Sequence, residues 1–265
     1  MTETHNTHEI RRKFEGDVLE WCEVCGQPKK INVTYYGEVD CACDCVKASR
    51  AKKEMEQAKA EKALQLERMQ RSGFPDKELS KCTFEADDGD NPKLTMLGKK
   101  YVERFDEMFR DGKGLLLYGG VGGGKSFMAA CIANELINQG KSCLMTNFAR
   151  IANELSATFD GKQAYINRLN QFSLLIIDDL AAERDTEYMG EIVQEVIDAR
   201  YRCGKPLIVT TNLTKAELNQ PKSVRRERII SRLFEMCFPF EVAHQDRRRQ
   251  ALRQNTEKRM AMLGV

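Results

Sequence analysis

Apolar residues in the second half of the chain come in short runs separated by amphipathic stretches. GLLLYG, Gly114 to Gly119, is an apolar run bounded by glycines, the pattern of a strand buried on both faces. KSCLMTN, FSLLIIDDL and KPLIVTTN supply three more such strands. SFMAACIANELINQG, after the first run, reads as a helix stopped by Gly140. Strands alternating with helices imply βαβ crossovers and a mainly parallel sheet covered by helices, an α/β fold. Upstream, LTMLGKKYVERFDEMF sets Leu97, Tyr101, Phe105 and Phe109 four residues apart, which predicts one helix with one apolar face. VKASRAKKEMEQAKAEKALQLERMQR is built from the strongest helix formers, but Met55, Leu64, Leu66 and Met69 are too sparse for a deep core face. It reads as a solvated connector with at most one docking edge, ended by Gly73 and Pro75. The expected domains are a cysteine-rich module at 1–46, the connector at 47–72 and the α/β domain at 73–265.

A chain of 265 residues suits one full domain and a smaller appendage. No run approaches the ~18 apolar residues of a membrane span, and MTETHNTHEIRRKF lacks an apolar signal core, so the expectation is a cytoplasmic protein with no membrane partner. The net charge of +2 announces no nucleic-acid binder, but Lys222 to Arg259 hold eleven Lys/Arg against five Asp/Glu, a local excess able to face phosphates. In a reducing compartment Cys82, Cys131, Cys143, Cys203 and Cys237 read as inert, small core residues.

The strongest chemical pattern is GGVGGGKS, which fits G-x-x-x-x-G-K-[S/T] and lies between an apolar strand and a helix. Gly119, Gly120, Val121, Gly122, Gly123 and Gly124 would turn backbone N–H groups around the phosphates of ATP, with Phe127 completing the loop. The helix starting near Lys125 adds its positive dipole end. Lys125 is expected to reach the β- and γ-phosphates and the Ser126 hydroxyl to ligate Mg²⁺. LLIIDDL, Leu174 to Leu180, has the form of a Walker B strand: Asp178 would hold the Mg²⁺ and Asp179 would orient or deprotonate the attacking water. Asn212, ending KPLIVTTN, is placed to bond the γ-phosphate or that water, although a strand-terminal Asn is also an ordinary turn former.

Five further cysteines fall between Trp21 and Val46. Cys22-x-x-Cys25, then Cys41-x-Cys43-x-Cys45 after a hairpin-like stretch, offer two thiolate pairs. Four thiolates make a closed tetrahedral Zn²⁺ site worth ~10 to 16 kcal/mol of folding free energy to a module with too little core. Three cysteines compete for two places in the second pair, and an iron–sulfur cluster is the other metal reading; no thioredoxin-like pattern supports redox chemistry. His5 and His8 read as tail residues. Lys29, Lys30, Tyr35 and Tyr36 form a basic, aromatic mixture able to contact single-stranded DNA.

Walker A, Walker B, a TTN-ended strand and an arginine-bearing helix, in that order, resemble an AAA+ ATPase. IDDLAAE followed by DARYRCGKPLIVTTNLTKAEL resembles more closely the DnaC/DnaI-type replicative helicase loaders, the group that includes the IstB transposition ATPases. The resemblance covers roughly Phe74 to Arg253, and a cysteine module in front of the ATPase is similar to DnaI-like and phage-encoded loaders. It implies that RERIISRLFE carries an arginine finger at Arg232, with Arg228 the nearest competitor, donated to a neighbouring subunit and hence requiring self-association. Such fingers are worth roughly 10³- to 10⁵-fold in rate. It also implies a sensor II arginine in AHQDRRRQ, at Arg249 or Arg248, where the arginine triple departs from the single arginine usual in the family. Asp179 stands where many AAA+ proteins have Glu, which predicts slow hydrolysis. CxCV leading into a basic helix resembles the loader pattern and favours Cys43 and Cys45 as the second zinc pair, with Cys41 the alternative.

The function this implies is an ATP-dependent loader that grips a DnaB-type replicative helicase through its N-terminal region and places it on single-stranded DNA. The basic C-terminal part and Asn147 to Asn153 would then be the DNA surface. An IstB-like transposition helper and a zinc adaptor that binds nucleotide without productive hydrolysis are the alternatives.

Overall fold

The computed structural model describes residues 18–33, 36–74, 76–157, 161–182 and 186–242. It has two compact units, Met1–Gln65 and Leu66–Val265.

The first unit holds an antiparallel meander, β1 (Val18–Trp21), β2 (Pro28–Val33) and β3 (Gly37–Asp40), in the order β1-β2-β3. A long helix, α1 (Asp44–Gly73), starts directly after it. The start of α1 is pinned from the turn between β1 and β2: the Gln27 side-chain oxygen accepts the Asp44 N–H at 2.7 Å, and its amide nitrogen donates to the Asp44 carboxylate. One of the orphan N–H groups of the helix is thus satisfied by a side chain 17 residues away. Met55 and Leu64 are exposed, while Leu66 and Met69, in the part of α1 that belongs to the second unit, pack against that unit's own core. Gly73 ends the helix where a Cβ would stand 2.6 Å from the Cys143 carbonyl oxygen, so only glycine permits that approach.

The second unit is a five-stranded sheet, β4 (Gly114–Tyr118), β5 (Cys143–Thr146), β6 (Leu174–Leu180), β7 (Leu207–Thr211) and β8 (Cys237–Glu241), in the order β5-β6-β7-β4-β8. Every pair in it is parallel. Helices connect the strands: α2 (Pro92–Glu103) and α3 (Phe105–Arg110) before β4, α4 (Lys125–Asn138), α5 (Phe148–Ala157), α6 (Lys162–Leu169), α7 (Glu187–Cys203), α8 (Lys215–Asn219) and α9 (Val224–Met236). The strands divide their side chains between two cores. Leu116, Leu175, Ile177, Leu207 and Val209 belong to one, with α5 to α7 and α9. Leu115, Leu117, Leu174, Ile176 and Ile208 belong to the other, with α2 and α4. This is why the strands read as unbroken apolar runs. Among the described residues no helix is long and apolar enough to cross a membrane.

Two expectations are corrected and one strand is added. The helix anticipated across Leu97 to Phe109 breaks at Arg104, which leaves helical backbone at φ −102, ψ 19 and binds Glu107; Tyr101 and Phe105 are buried but Phe109 is exposed. β8 was not anticipated, because Pro239 and exposed positions interrupt its apolar pattern; as an edge strand it tolerates both. Cys203 is exposed rather than a core residue, whereas Cys131, Cys143 and Cys237 are buried.

Arg200, fully buried on α7, binds backbone rather than a carboxylate: its guanidinium donates to the carbonyls of Phe172, Ser173 and Pro206 at 2.7 to 3.1 Å. It thereby ties together the starts of β6 and β7. Burial draws its pKa down to about 10, so it stays charged at neutral pH. Arg200→Leu would take the donor from the Phe172 and Ser173 carbonyls, while the Pro206 carbonyl would keep the Leu175 N–H at 3.4 Å, and we expect a loss of about 3 kcal/mol or more in chemical denaturation; a loss below about 1 kcal/mol would show that these carbonyls find other donors.

Candidate nucleotide and metal sites

The loop after β4 turns back on itself through glycines that no L-residue replaces without strain: Gly122 has φ 84 and Gly124 φ 87. α4 begins at Lys125, so its free N–H groups face the loop. Lys125 is nearly buried, and its ammonium donates to the carbonyls of Gly119 at 2.8 Å and Gly120 at 2.7 Å and to Asn212 Oδ1 at 2.9 Å. The Asn212 amide nitrogen in turn donates to Asp179 Oδ1 at 2.7 Å. This chain of contacts follows from sheet order. β7 lies between β4 and β6, so the residue after it lies between the lysine that follows β4 and the carboxylates that end β6.

The loop opens on a cleft of about 290 Å³ lined by Val121 to Phe127, Asp179 and Asn212. Asp178 is not among the lining residues; it is half-buried, with Thr210 Oγ1 donating to its Oδ1 at 2.6 Å. Two lining residues carry no motif and were not anticipated: Ala86 and Asp88. They come from a segment whose start is pinned to α4 by Asn134, which donates to the carbonyls of Leu79 at 3.1 Å and Cys82 at 2.7 Å. The run Asp87-Asp88-Gly89-Asp90 announces a turn, but nothing periodic links it to the phosphate loop.

Arg232 is on α9, its guanidinium 4.1 Å from the Tyr201 ring centre, 3.5 Å from Asp198 and 3.9 Å from Glu235. Arg228, one turn earlier, is exposed. Neither lines the cleft of its own chain. Arg248 and Arg249, like His5, His8 and Tyr35, lie outside the described residues. Asn147 caps α5, its Oδ1 accepting the Arg150 N–H at 2.9 Å.

In the N-terminal unit the thiols of Cys22, Cys25, Cys43 and Cys45 come within 4.8 Å of one another. A tight turn with Gly26 N–H on the Cys22 carbonyl at 2.8 Å presents the first pair, and the start of α1 presents the second. Cys41 lies outside the group, its thiol toward the Val39 carbonyl at 3.9 Å. Tetrahedral zinc–thiolate sites hold their sulfurs roughly 3.8 Å apart, so the donor set and its spacing fit that ion. The backbone N–H groups of Cys25 and Val24, with the Cys45 and Cys43 thiols, hold Cys22 down to about 6, while hydrogen bonding to Cys43 and Cys22 pushes Cys45 up. A bound cation would favour the thiolate form of the residues that hold it. The side chains of Lys29 and Lys30 are engaged by Glu20 and Glu38.

A sequence profile described as IstB-like ATP binding protein matches residues 24–255. The chain belongs to this family. Among curated relatives, the replicative helicase loader DnaC of Escherichia coli K12 is 29% identical over 139 residues, covering 51% of this chain and 54% of its own. The replicative helicase loader DnaI of Bacillus subtilis 168 is 26% identical over 213 residues, 74% of this chain and 66% of its own. The chain thus spans about half the length of the first relative. The crystal structure of a DnaI is similar in fold, with TM-score 0.55 and 23% identity over 68% of this chain and 99% of that one. An AAA+ nucleotide-binding fold, the parallel sheet with its phosphate loop, accounts for these matches.

Elemental analysis of protein purified in reductant checks the metal set: Cys43→Ser should lose most of the bound zinc and Cys41→Ser should keep it. Zinc absent from the unaltered protein, or lost with Cys41, would contradict the assignment.

Proposed function

We propose that this protein is an ATP-dependent loader of a DnaB-type replicative helicase. The observation that supports the reading most is the continuous contact from Lys125 through Asn212 to Asp179, in a chain whose curated relatives are named replicative helicase loaders. Loop N–H groups and Lys125 would bind the β- and γ-phosphates of ATP, and Ser126 with Asp178 would hold Mg²⁺, a donor set of hydroxyl and carboxylate oxygens suited to that ion. When bound, the ion would neutralise phosphate charge. Asp179 would orient the attacking water, and Asn212, touching both lysine and carboxylate, would register the γ-phosphate. The Asp179 side chain is one carbon shorter than Glu, which slows hydrolysis and suits a timed switch.

Arg232 is proposed to act on the nucleotide of a neighbouring subunit. Its ion pairs are half-exposed, a class worth about 0 to 1 kcal/mol, so leaving them costs little. Arg249 would contact nucleotide within its own subunit. The four-thiol module, holding Zn²⁺ through Cys22, Cys25, Cys43 and Cys45, is assigned to the helicase, and the ATPase domain to single-stranded DNA. The engagement of Lys29 and Lys30 with acidic neighbours weakens the case for DNA on the module. The three-part division proposed from sequence, 1–46, 47–72 and 73–265, assigns those roles, and the setting is the cytoplasm. A second reading, an IstB-like transposition helper, is favoured by the family description itself.

Affinity capture of the full chain from its host with ATP and Mg²⁺ separates the two: replicative helicase should be retained on the loader reading, a transposase on the other. For the finger, Arg232→Ala should lower ATP turnover at least about tenfold, and mixing with Lys125→Ala should restore part of it, because each mutant supplies what the other lacks. Unchanged turnover in Arg232→Ala would remove the finger.

A further inference from the structure

β6 and β7 pair in register as far as Ile177 opposite Val209 and resume at Leu180 opposite Thr211. Between these pairs two residues of β6, Asp178 and Asp179, stand against one of β7, Thr210. This is a bulge, a form rare in parallel sheets and one that re-aims side chains. It interrupts the backbone ladder where the two carboxylates leave the sheet.

We propose that Thr210 is the positioning residue for both carboxylates, its hydroxyl replacing the ladder across the bulge. Thr210 is fully buried. Its hydroxyl donates to Asp178 Oδ1 at 2.6 Å and accepts the Asp179 N–H at 2.9 Å. Leu207, Ile208 and Val209, the preceding residues of β7, are buried and apolar, and a hydroxyl among such neighbours costs stability unless it is bonded. Valine has the same shape and can make neither contact. The backbone on the other side needs the support: Asp179 has φ 61 and Ala181 φ 73, a left-handed conformation that side-chain-bearing residues hold only where surroundings impose it. Thr211 continues the repair, its hydroxyl donating to the Leu180 carbonyl at 2.7 Å. With Oδ1 of Asp178 fixed on Thr210, its second oxygen is left to meet a cation, and Asp179 is left to meet Asn212. The proposal rests on the reading of Asp178 as a Mg²⁺ ligand given above.

The test is the Mg²⁺ dependence of nucleotide binding by the full chain, followed with a fluorescent ATP analogue. Thr210→Val should raise the Mg²⁺ needed for half-maximal tightening about tenfold, the worth of one hydrogen bond to a charged group, and leave affinity without Mg²⁺ within about twofold. Thr210→Ser, which keeps the hydroxyl, should behave as the unaltered protein. Thr211→Val weakens the same strand without touching a carboxylate, and should leave the Mg²⁺ requirement unchanged. Equal Mg²⁺ requirements in Thr210→Val and the unaltered protein would overturn the proposal, as would an equal shift in Thr211→Val. If Mg²⁺ fails to tighten binding even in the unaltered protein, the reading of Asp178 falls, and this proposal with it.

Discussion

Asn212 holds the nucleotide end of this molecule together, because its one amide accepts from Lys125 and donates to Asp179. An amide is the side chain suited to the place: a carboxylate would not donate to Asp179, and an ammonium would not accept from Lys125. The contact exists only because β7 is inserted between β4 and β6, two strands that carry the lysine loop and the paired aspartates. That insertion is in turn tied at the opposite end of the sheet by Arg200, whose guanidinium clasps the carbonyls at the starts of β6 and β7. Register at one end and chemistry at the other are thus two results of the same pairing.

The N-terminal unit solves a different problem. Three short strands bury little apolar surface, and Leu19, Val24, Tyr36 and Val39 are exposed. Among the described residues of this unit, four thiols from the β1–β2 turn and the start of α1 gather together, with Cys43 the buried member. A bound ion would give a module built this way the order that so small a core cannot.

Much of this was legible in the sequence for a physical reason: strands buried on both faces leave apolar runs, and a phosphate loop needs glycines in fixed places. GLLLYG, LLIIDDL and LIVTT are strands, and GGVGGGKS is the turn between β4 and α4. The cysteine spacing allowed three choices for the second pair, and only folding brings Cys43 and Cys45 together while turning Cys41 aside. β8 escaped because an edge strand need not be apolar, and the break at Arg104 because helical spacing persists across it. Ala86 and Asp88 reach the cleft from a segment without periodicity. The Thr210 hydroxyl was hidden in a strand that reads as apolar, since threonine is common in strands and its bond to Asp178 depends on a bulge that no local pattern announces.

The central claim is that ATP held in this cleft drives transfer of a helicase to DNA. It is tested most directly by incubating the full chain with the host's replicative helicase and immobilised single-stranded DNA coated with binding protein, then measuring helicase retained on the DNA. The account predicts retention that requires this protein and ATP, and that is lost when Lys125 is replaced by alanine. Retention that is the same with and without the protein, or unaffected by the Lys125 substitution, would contradict it.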